Sequence, residues 1–275
     1  MRHATRWFVL ALSLSFAAAA PGHAQGGVLV SPGPVVGDPP AGGAPGGAQP
    51  APYASVAPTA ADSAASRRTR EAAALDEGLR VVVSIDERRM WTLLGADTLL
   101  SASAAVGMDA RLDYAGRSWI FRTPRGMRRV LRKYASAVWV PPDWHYAEVA
   151  AQHGFRLARL AADTPVTLAD GRRLEVRNGE VGVEEAIGGF APLPSDEEIV
   201  FDSTLFIPPY GTKNRRVTGE LGAYQLDLGD GYLLHGTPHT STIGTAVTHG
   251  CVRLPDDAIE WLYRHVPVGT PVYVY

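Results

Sequence analysis

The sequence predicts a mostly-β fold with a few short helices, and three observations support this prediction. Beyond the first quarter, the chain contains many short runs rich in β-branched residues, such as R-V-V-V-S-I-D at 80–86. Asp-Gly and Asn-Gly pairs, which favour tight hairpin turns, separate several runs. Strands do not alternate regularly with long helices, which argues against a parallel α/β sheet.

The N-terminus predicts a signal peptide over residues 1–24. A short basic segment precedes an apolar run of about 14 residues, and small residues follow up to Ala24. The apolar run is shorter than the roughly 20 residues that span a bilayer, and no later segment is longer. The sequence therefore predicts export to the periplasm or cell wall, with no membrane span after signal removal.

Residues 25–66 predict a disordered linker. They are mostly Gly, Pro, Ala, Ser and Val, with Asp38 and Asp62 as the only charged residues. Such a segment buries too little side chain to offset the entropy of ordering it. It could let the folded part reach a surface-bound polymer, or it could have no specific role. Residues 67–79 are rich in helix formers and predict one short helix.

Residues 80–275 are sufficient for one domain with a well-buried core. The net charge of the chain is -2, and acidic and basic residues are mixed along the folded part. This pattern offers no basic surface for nucleic acid and no polybasic patch for a membrane. Charge therefore excludes nucleic acid as a partner and identifies no other partner.

The folded part begins with a predicted meander of antiparallel strands. Three short runs form it, separated by D-E-R and G-A-D turns: residues 80–86, 89–94 and 98–107. Next, residues 119–127 predict a strand that ends in a turn at Pro124 and Gly126. The aromatic and proline cluster from Trp139 to Trp144 could line a substrate groove or cap the core, and we favour the cap.

The middle of the folded part predicts a helix followed by a small β-meander. Apolar residues have helical spacing over 145–162, and the residues after them contain Asp170-Gly171 and Asn178-Gly179 hairpin turns. This unit could be a lid, a recognition module or a structural embellishment. Strands resume at 199–207, and a Gly229-Asp230 turn separates the next two predicted strands.

The C-terminal part predicts one helix and a last strand. Residues 256–265 place Ile259, Leu262 and Tyr263 on one helical face, with acidic residues in the first turn. Residues 270–275 predict the strand.

Reactive residues are concentrated between Tyr232 and Leu254. This stretch holds the only cysteine of the chain, Cys251, together with His235, His239, His249 and Arg253. A thiolate is a strong nucleophile, and a neutral imidazole within hydrogen-bond reach can take the proton of the thiol. The density of such residues predicts a catalytic site with a cysteine nucleophile.

Two histidines could act on Cys251. His249 lies two residues before it, and His235 ends a predicted strand sixteen residues upstream. A returning loop of that length can bring His235 opposite the cysteine. Gly250 carries no side chain, so the amides of Gly250 and Cys251 could converge as an oxyanion hole.

The residues around Cys251 resemble the signature of the L,D-transpeptidase catalytic domain, the YkuD-like family. The similarity rests on H-G-T at 235–237, on T-H-G-C-V-R-L at 248–254, and on the spacing of sixteen between His235 and Cys251.

Upstream segments are also similar to the earlier strands of that family: V-V-V-S-I-D at 81–86, T-P-R-G at 123–126 and G-E-L-G-A-Y-Q-L at 219–226. The resemblance covers most of residues 80–275. Residues 145–198, approximately, depart from the minimal domain and are interpreted as an insert.

The resemblance implies a β-sandwich-like catalytic fold. It implies that Cys251 attacks, that His235 is the base and that the carbonyl of Gly236 orients the imidazole. His249 and Arg253 would then flank the pocket.

Thr248 stands where the family commonly has serine, and it keeps the hydroxyl.

The resemblance further implies a peptidoglycan tetrapeptide stem as the donor and a thioester acyl-enzyme, without a cofactor or a metal. The acceptor could be an amine on another stem, a lysine of an outer-membrane lipoprotein, or water. Water as the acceptor would make the protein an L,D-carboxypeptidase.

Two other classes of protein remain open. His235, His239, His249 and Cys251 are ligand types that suit zinc, although no carboxylate or second cysteine completes a usual set. The chain could also be a wall-binding module that has lost catalysis. Arg253 could pair with Asp256 or Asp257 instead of a substrate carboxylate, and we favour the substrate.

Overall fold

A computed structural model of the chain describes residues 27–30, 52–136, 138–184 and 188–275. The predicted signal peptide and much of the predicted linker lie outside these residues. The strands are β1 Gly27–Val30, β2 Tyr53–Ser55, β3 Arg80–Ser84, β4 Arg89–Leu94, β5 Asp97–Ser103, β6 Val106–Gly107, β7 Ala110–Tyr114, β8 Arg117–Phe121, β9 Gly126–Arg129, β10 Arg132–Ala135, β11 Val138–Trp139, β12 Arg156–Arg159, β13 Val166–Thr167, β14 Arg173–Arg177, β15 Glu180–Glu184, β16 Phe190–Pro192, β17 Glu198–Phe201, β18 Thr204–Ile207, β19 Val217–Thr218, β20 Tyr224–Asp227, β21 Leu233–His235, β22 Ala246–Thr248, β23 Val252–Arg253 and β24 Pro271–Val274. The α-helices are α1 Ala60–Leu75, α2 Asp143–His153 and α3 Asp256–His265. Two short 3₁₀ helices lie at Lys213–Arg215 and Thr240–Thr242.

Two facing sheets enclose the main core. The first has the strand order β5-β4-β3-β24-β9, and the second has the order β10-β20-β21-β23. Val81 and Val83 of the first sheet share one apolar cluster with Leu234 of the second sheet and with Leu262 of α3. The predicted mostly-β sandwich is therefore confirmed, and α3 spans the residues that the sequence predicted for it.

Helix α1 covers the outer face of the first sheet. Val82 points away from the main core and packs with Ala73 of α1, as the alternation of side chains along a strand requires. Thr59 and Asp62 form a capping box in which the Thr59 hydroxyl accepts from the Asp62 amide at 3.1 Å. The cap starts the helix before residue 67, so the predicted linker is wrong at its end.

Three small sheets complete the domain: β2-β7-β8, β22-β6 and β11-β19. Strand β6 pairs in parallel with β22. Strand β22 leads directly into residues 249–251, here called the cysteine loop. Thr123, in the T-P-R-G turn, accepts a hydrogen bond from the Gly107 amide at 2.8 Å. The turn is thereby fixed next to strand β6, whose partner β22 leads to Cys251.

The insert has a core of its own. Two sheets form this core, with the orders β1-β17-β18-β12 and β13-β14-β15-β16, so it extends beyond residues 145–198 to β1, β17 and β18. Both predicted Asx-Gly hairpin turns are present. Helix α2 packs Tyr146 and Ala150 against Leu205 of β18. The predicted helix over 145–162 is too long, because Gly154 ends α2 in the left-handed region with φ 69°.

A buried ion pair joins the insert to the segment that follows it. Arg215 is 1% exposed and donates to Asp143 at 2.8 Å, to the Pro141 carbonyl at 2.9 Å and to the Pro208 carbonyl at 2.9 Å. The guanidinium also lies over the Tyr210 ring at 3.7 Å. These contacts fix the start of α2.

Among the residues that the structure describes, no helix has both the length and the apolar character needed to cross a membrane.

Candidate active site

A cleft of about 650 Å³ lies between the second sheet and residues of β8, β11 and the start of α2. One side is formed by residues of the cysteine loop and of β21, including Cys251 and His235. The other side is largely aromatic and apolar: Trp119, Ile120, Phe121, Trp139, Val140 and Trp144. This volume falls in the range typical of small-ligand sites.

Strand pairing places the predicted catalytic residues on one face. Strands β21 and β23 are parallel, with Leu234 opposite Val252 and His235 opposite Arg253. Leu234 and Val252 point into the main core, so their neighbours His235, Cys251 and Arg253 point into the cleft. The structure therefore directs His235 and Cys251, which lie sixteen residues apart in sequence, into one cleft.

The His235 imidazole is buried and oriented by the main chain. Its Nδ1 atom lies 2.6 Å from the Gly236 carbonyl oxygen. A carbonyl only accepts, so Nδ1 carries the proton and Nε2 keeps its lone pair. Burial, and then the charge of Arg253, lower the pKa of His235 to about 4 despite the Gly236 hydrogen bond. At neutral pH His235 is therefore an uncharged base.

Close backbone packing holds the Gly236 carbonyl in place. Gly222 has φ +65°, and a Cβ atom there would lie 2.7 Å from the Gly236 Cα atom. A Cβ atom on Gly236 would lie 2.7 Å from Asp256 Oδ1. The contact at Gly222 is with main-chain atoms and admits only glycine, so the orientation of His235 depends on it.

The Cys251 thiol is half-buried and protonated in the resting protein. Its Sγ atom donates to the Gly231 carbonyl at 3.7 Å. Burial raises the pKa of the thiol to about 11, although a main-chain hydrogen bond with Leu233 and the charge of Arg253 act to lower it. The free site thus pairs a neutral thiol with a neutral imidazole.

These pKa values predict an unusual pH profile for alkylation by iodoacetamide. A thiol with the ordinary pKa of 9.0 stops gaining reactivity above that pH. Because only the thiolate reacts, the alkylation rate of Cys251 is expected to keep rising about tenfold per pH unit towards pH 11. Mass spectrometry of the Cys251 adduct measures the rate, with glutathione as the control; a plateau near pH 9 or below would contradict this prediction.

Thr248 and Gly250 shape the loop before Cys251. The Thr248 hydroxyl donates to the Cys251 carbonyl at 2.6 Å and accepts from the Gly250 amide at 3.2 Å. In the free protein the Gly250 amide is therefore engaged by Thr248, and an oxyanion hole formed by the Gly250 and Cys251 amides stays a prediction. Gly250 has φ +136°, and a Cβ atom there would lie 2.9 Å from the Tyr232 ring.

The His249 side chain is fixed by residues outside the cysteine loop. Its ring stacks on Trp144 with 3.9 Å between centroids and meets the edge of Phe121 at 4.6 Å. Its Nε2 atom lies 3.1 Å from Glu148 Oε1. His249 thus lines the cleft, as predicted, and is attached to α2.

Arg253 is buried close to Cys251. Its guanidinium contacts the Thr242 hydroxyl at 3.5 Å. Burial lowers the pKa of Arg253, whereas the charge of Glu220 acts to raise it. Within the described residues, it does not pair with Asp256 or Asp257. The cation therefore faces the cleft, where a carboxylate could bind.

Three of the four residues of the zinc hypothesis make hydrogen bonds elsewhere, namely His235, His249 and Cys251. His235 is bonded to the Gly236 carbonyl, and His249 contacts Glu148. His239 Nε2 lies 3.5 Å from Glu220. In the described part of the chain, no group of three or more His, Cys, Asp or Glu residues is arranged to hold a metal ion.

Sequence reasoning missed two contributors to the site. The preferred interpretation of Trp139 and Trp144 as a cap on the core was incomplete, because both rings line the cleft. Glu148 was not singled out, since one carboxylate on a helix carries no recognisable signal. The aromatic cluster itself was the available signal for Trp144.

Curated relatives match short parts of the chain. The probable L,D-transpeptidase ErfK/SrfK of Salmonella typhimurium is 44% identical over 54 residues, which are 20% of this chain and 18% of the relative. The probable L,D-transpeptidase YbiS of Escherichia coli is 48% identical over 52 residues, or 19% of this chain and 17% of the relative. The chain thus spans under a fifth of the length of these two relatives.

A solved L,D-transpeptidase from Xylanimonas cellulosilytica matches with 16% identity and a TM-score of 0.36, covering 73% of this chain and 61% of that one. The model of the L,D-transpeptidase catalytic domain, YkuD, matches residues 78–274, which is most of the folded part. The chain therefore belongs to the family of L,D-transpeptidase catalytic domains.

Proposed function

We propose that the protein is a cysteine-dependent L,D-transpeptidase that acts on peptidoglycan stem peptides through a thioester. The observation that carries this proposal is the position of Cys251, His235 and Arg253 on one face of two paired strands. A nucleophile, a neutral base and a buried cation meet there in one cleft. Family membership supports the same reaction class.

In the first half-reaction, Cys251 Sγ attacks the carbonyl carbon of the third residue of a tetrapeptide stem. His235 Nε2 takes the thiol proton as the S–C bond forms. The same proton passes to the leaving nitrogen, the peptide bond breaks, and terminal D-alanine departs. Arg253 binds a carboxylate of the donor. The Cys251 amide, which is not used by the Thr248 turn, donates to the oxyanion.

In the second half-reaction, an amine of another stem attacks the thioester. The amine loses a proton to His235, and the thiol of Cys251 re-forms when the S–C bond breaks. A lipoprotein lysine could replace the stem amine in protein anchoring. Water in the same position would trim the stem to a tripeptide, which is L,D-carboxypeptidase activity.

The proposed substrate requires export. The predicted signal peptide at 1–24 and the Pro- and Gly-rich segment after it agree with a protein that works in the periplasm or cell wall. N-terminal sequencing of the mature protein tests this part, and we expect cleavage after Ala24.

The test of the proposed function uses a disaccharide-tetrapeptide and mass spectrometry of the products. The untreated protein should form cross-linked dimers, trimmed tripeptide, or both. Protein in which Cys251 has been fully alkylated should form neither. An unchanged product profile after complete alkylation would show that the thiol is not the nucleophile.

The alternative is a wall-binding module without catalysis. The same incubation distinguishes the two, because a binding module would retain the tetrapeptide without releasing D-alanine. A carbapenem provides a second measurement, since an activated thiol forms a mass adduct with it and an inert thiol does not.

A further inference from the structure

The insert supplies a buried carboxylate to the cysteine loop. Glu148 lies on α2, its side chain is 3% exposed, and it contacts His249 Nε2 at 3.1 Å. Burying a carboxylate this deeply destabilises the fold unless a hydrogen-bond partner compensates for the lost water. The partner here belongs to the loop that carries the nucleophile.

The same helix also supports the flat face of that imidazole. Trp144 is one turn before Glu148 on α2, and its ring stacks on His249 with an interplanar angle of 17°. The ring is thus fixed by a hydrogen bond in its plane and by a stack on its face. Two independent contacts from one helix leave His249 little freedom to turn.

His249 is followed by Gly250 and then by Cys251. Gly250 has φ +136° and carries no side chain that could restrain the loop. The orientation of the Cys251 amide therefore depends on the Thr248 hydroxyl, which bonds the Gly250 amide and the Cys251 carbonyl, and on what holds the residues on either side. On one side Val252 enters β23, and on the other side His249 is held by α2.

We propose that Glu148 and Trp144 are positioning residues that hold His249 and thereby aim the Cys251 amide at the oxyanion. This inference rests on the proposed function. It gives the insert a role in acyl transfer, where the sequence left a lid, a recognition module and an embellishment open. Neither residue takes part in proton transfer.

The test compares two reactions of the same sulfur. Acylation by a carbapenem or a tetrapeptide develops an oxyanion and needs the aimed amide, whereas alkylation by iodoacetamide does not. In Glu148→Ala we expect acylation to fall about 10- to 100-fold, the size of effect that displaced or lost oxyanion donors produce. Alkylation should change less than about threefold, because the thiol and His235 are untouched.

Rescue by a conservative variant separates positioning from charge. A glutamine oxygen can accept the same hydrogen bond from His249 Nε2, so Glu148→Gln should keep acylation within about threefold of wild type. Glu148→Met fills the volume without an acceptor and should behave like Glu148→Ala. It also serves as the test variant if the alanine variant does not fold.

The insert contains a matched control. Glu198 and His145 form a second buried pair at 3.0 Å, and Glu198 does not line the cleft. Glu198→Ala should lower the melting temperature about as much as Glu148→Ala while leaving the acylation rate unchanged. Equal loss of acylation in both variants would overturn the inference, because general destabilisation would then explain it.

Two further outcomes would overturn the inference. One is wild-type acylation in Glu148→Met, and the other is a fall in alkylation that parallels the fall in acylation. Failure of the proposed function has a different signature, since the wild-type protein itself would then release no D-alanine.

Discussion

Replacing Cys251 with alanine is expected to lower the rate of donor acylation by at least about 10⁴-fold, because nucleophiles of acyl-transfer enzymes show losses of this order or larger. The chain has no second cysteine that could substitute. Release of D-alanine from the disaccharide-tetrapeptide measures the rate, and mass spectrometry should find no acyl adduct.

Cys251→Ser tests whether the reaction needs sulfur, or whether a hydroxyl at the same position can replace the thiol. A hydroxyl is less acidic than the thiol and a poorer nucleophile towards the same carbonyl, so we expect this variant to lose most of the activity as well. Both variants should melt close to wild type, since the side chain is small and half-buried. Retention of more than a few per cent of the acylation rate in the alanine variant would disprove thiol catalysis.

Replacing Arg215 with methionine is expected to lower the free energy of unfolding by about 3–5 kcal/mol, because it leaves the carboxylate of Asp143 without its buried partner. The two carbonyls of Pro141 and Pro208 also lose their donor. Urea unfolding followed by tryptophan fluorescence measures the change, since Trp144 follows Asp143 directly.

The matched controls are the other cations of Asp143. The side chains of Arg117 and Arg159 are 48% and 56% exposed, and both contact the same carboxylate. Replacing either with alanine should cost no more than about 1 kcal/mol, as solvent-exposed ion pairs do. A loss below about 1 kcal/mol in Arg215→Met would contradict the interpretation, and so would equal losses at all three arginines.

The part of the site that is built from residues close to one another in sequence could be predicted. The pairing of β21 with β23 follows from two apolar strands and a loop between them. The alternation of side chains along each strand then determines which residues face the cleft. For the same reason His235 and Cys251 line one cleft, as the sequence predicted, and α3 was predicted from its amphipathic spacing.

The parts that depend on distant segments could not be predicted. Glu148 is 101 residues from His249 in sequence, and nothing near either residue indicates the contact. The occupied amide of Gly250 depends on a rotamer of Thr248, which a motif does not specify. The start of α1 was missed because Thr59 and Asp62 lie within a segment whose composition favours disorder.

The protonated state of the Cys251 thiol has a consequence for survival in an oxidising environment. Peroxides and small disulfides react with the thiolate form of cysteine, and a pKa of about 11 leaves very little of that form at neutral pH. We therefore expect the resting thiol to stay reduced without a partner cysteine or a reductase. In the proposed mechanism the sulfur becomes strongly nucleophilic at neutral pH when His235 takes the thiol proton during attack on a bound acyl donor.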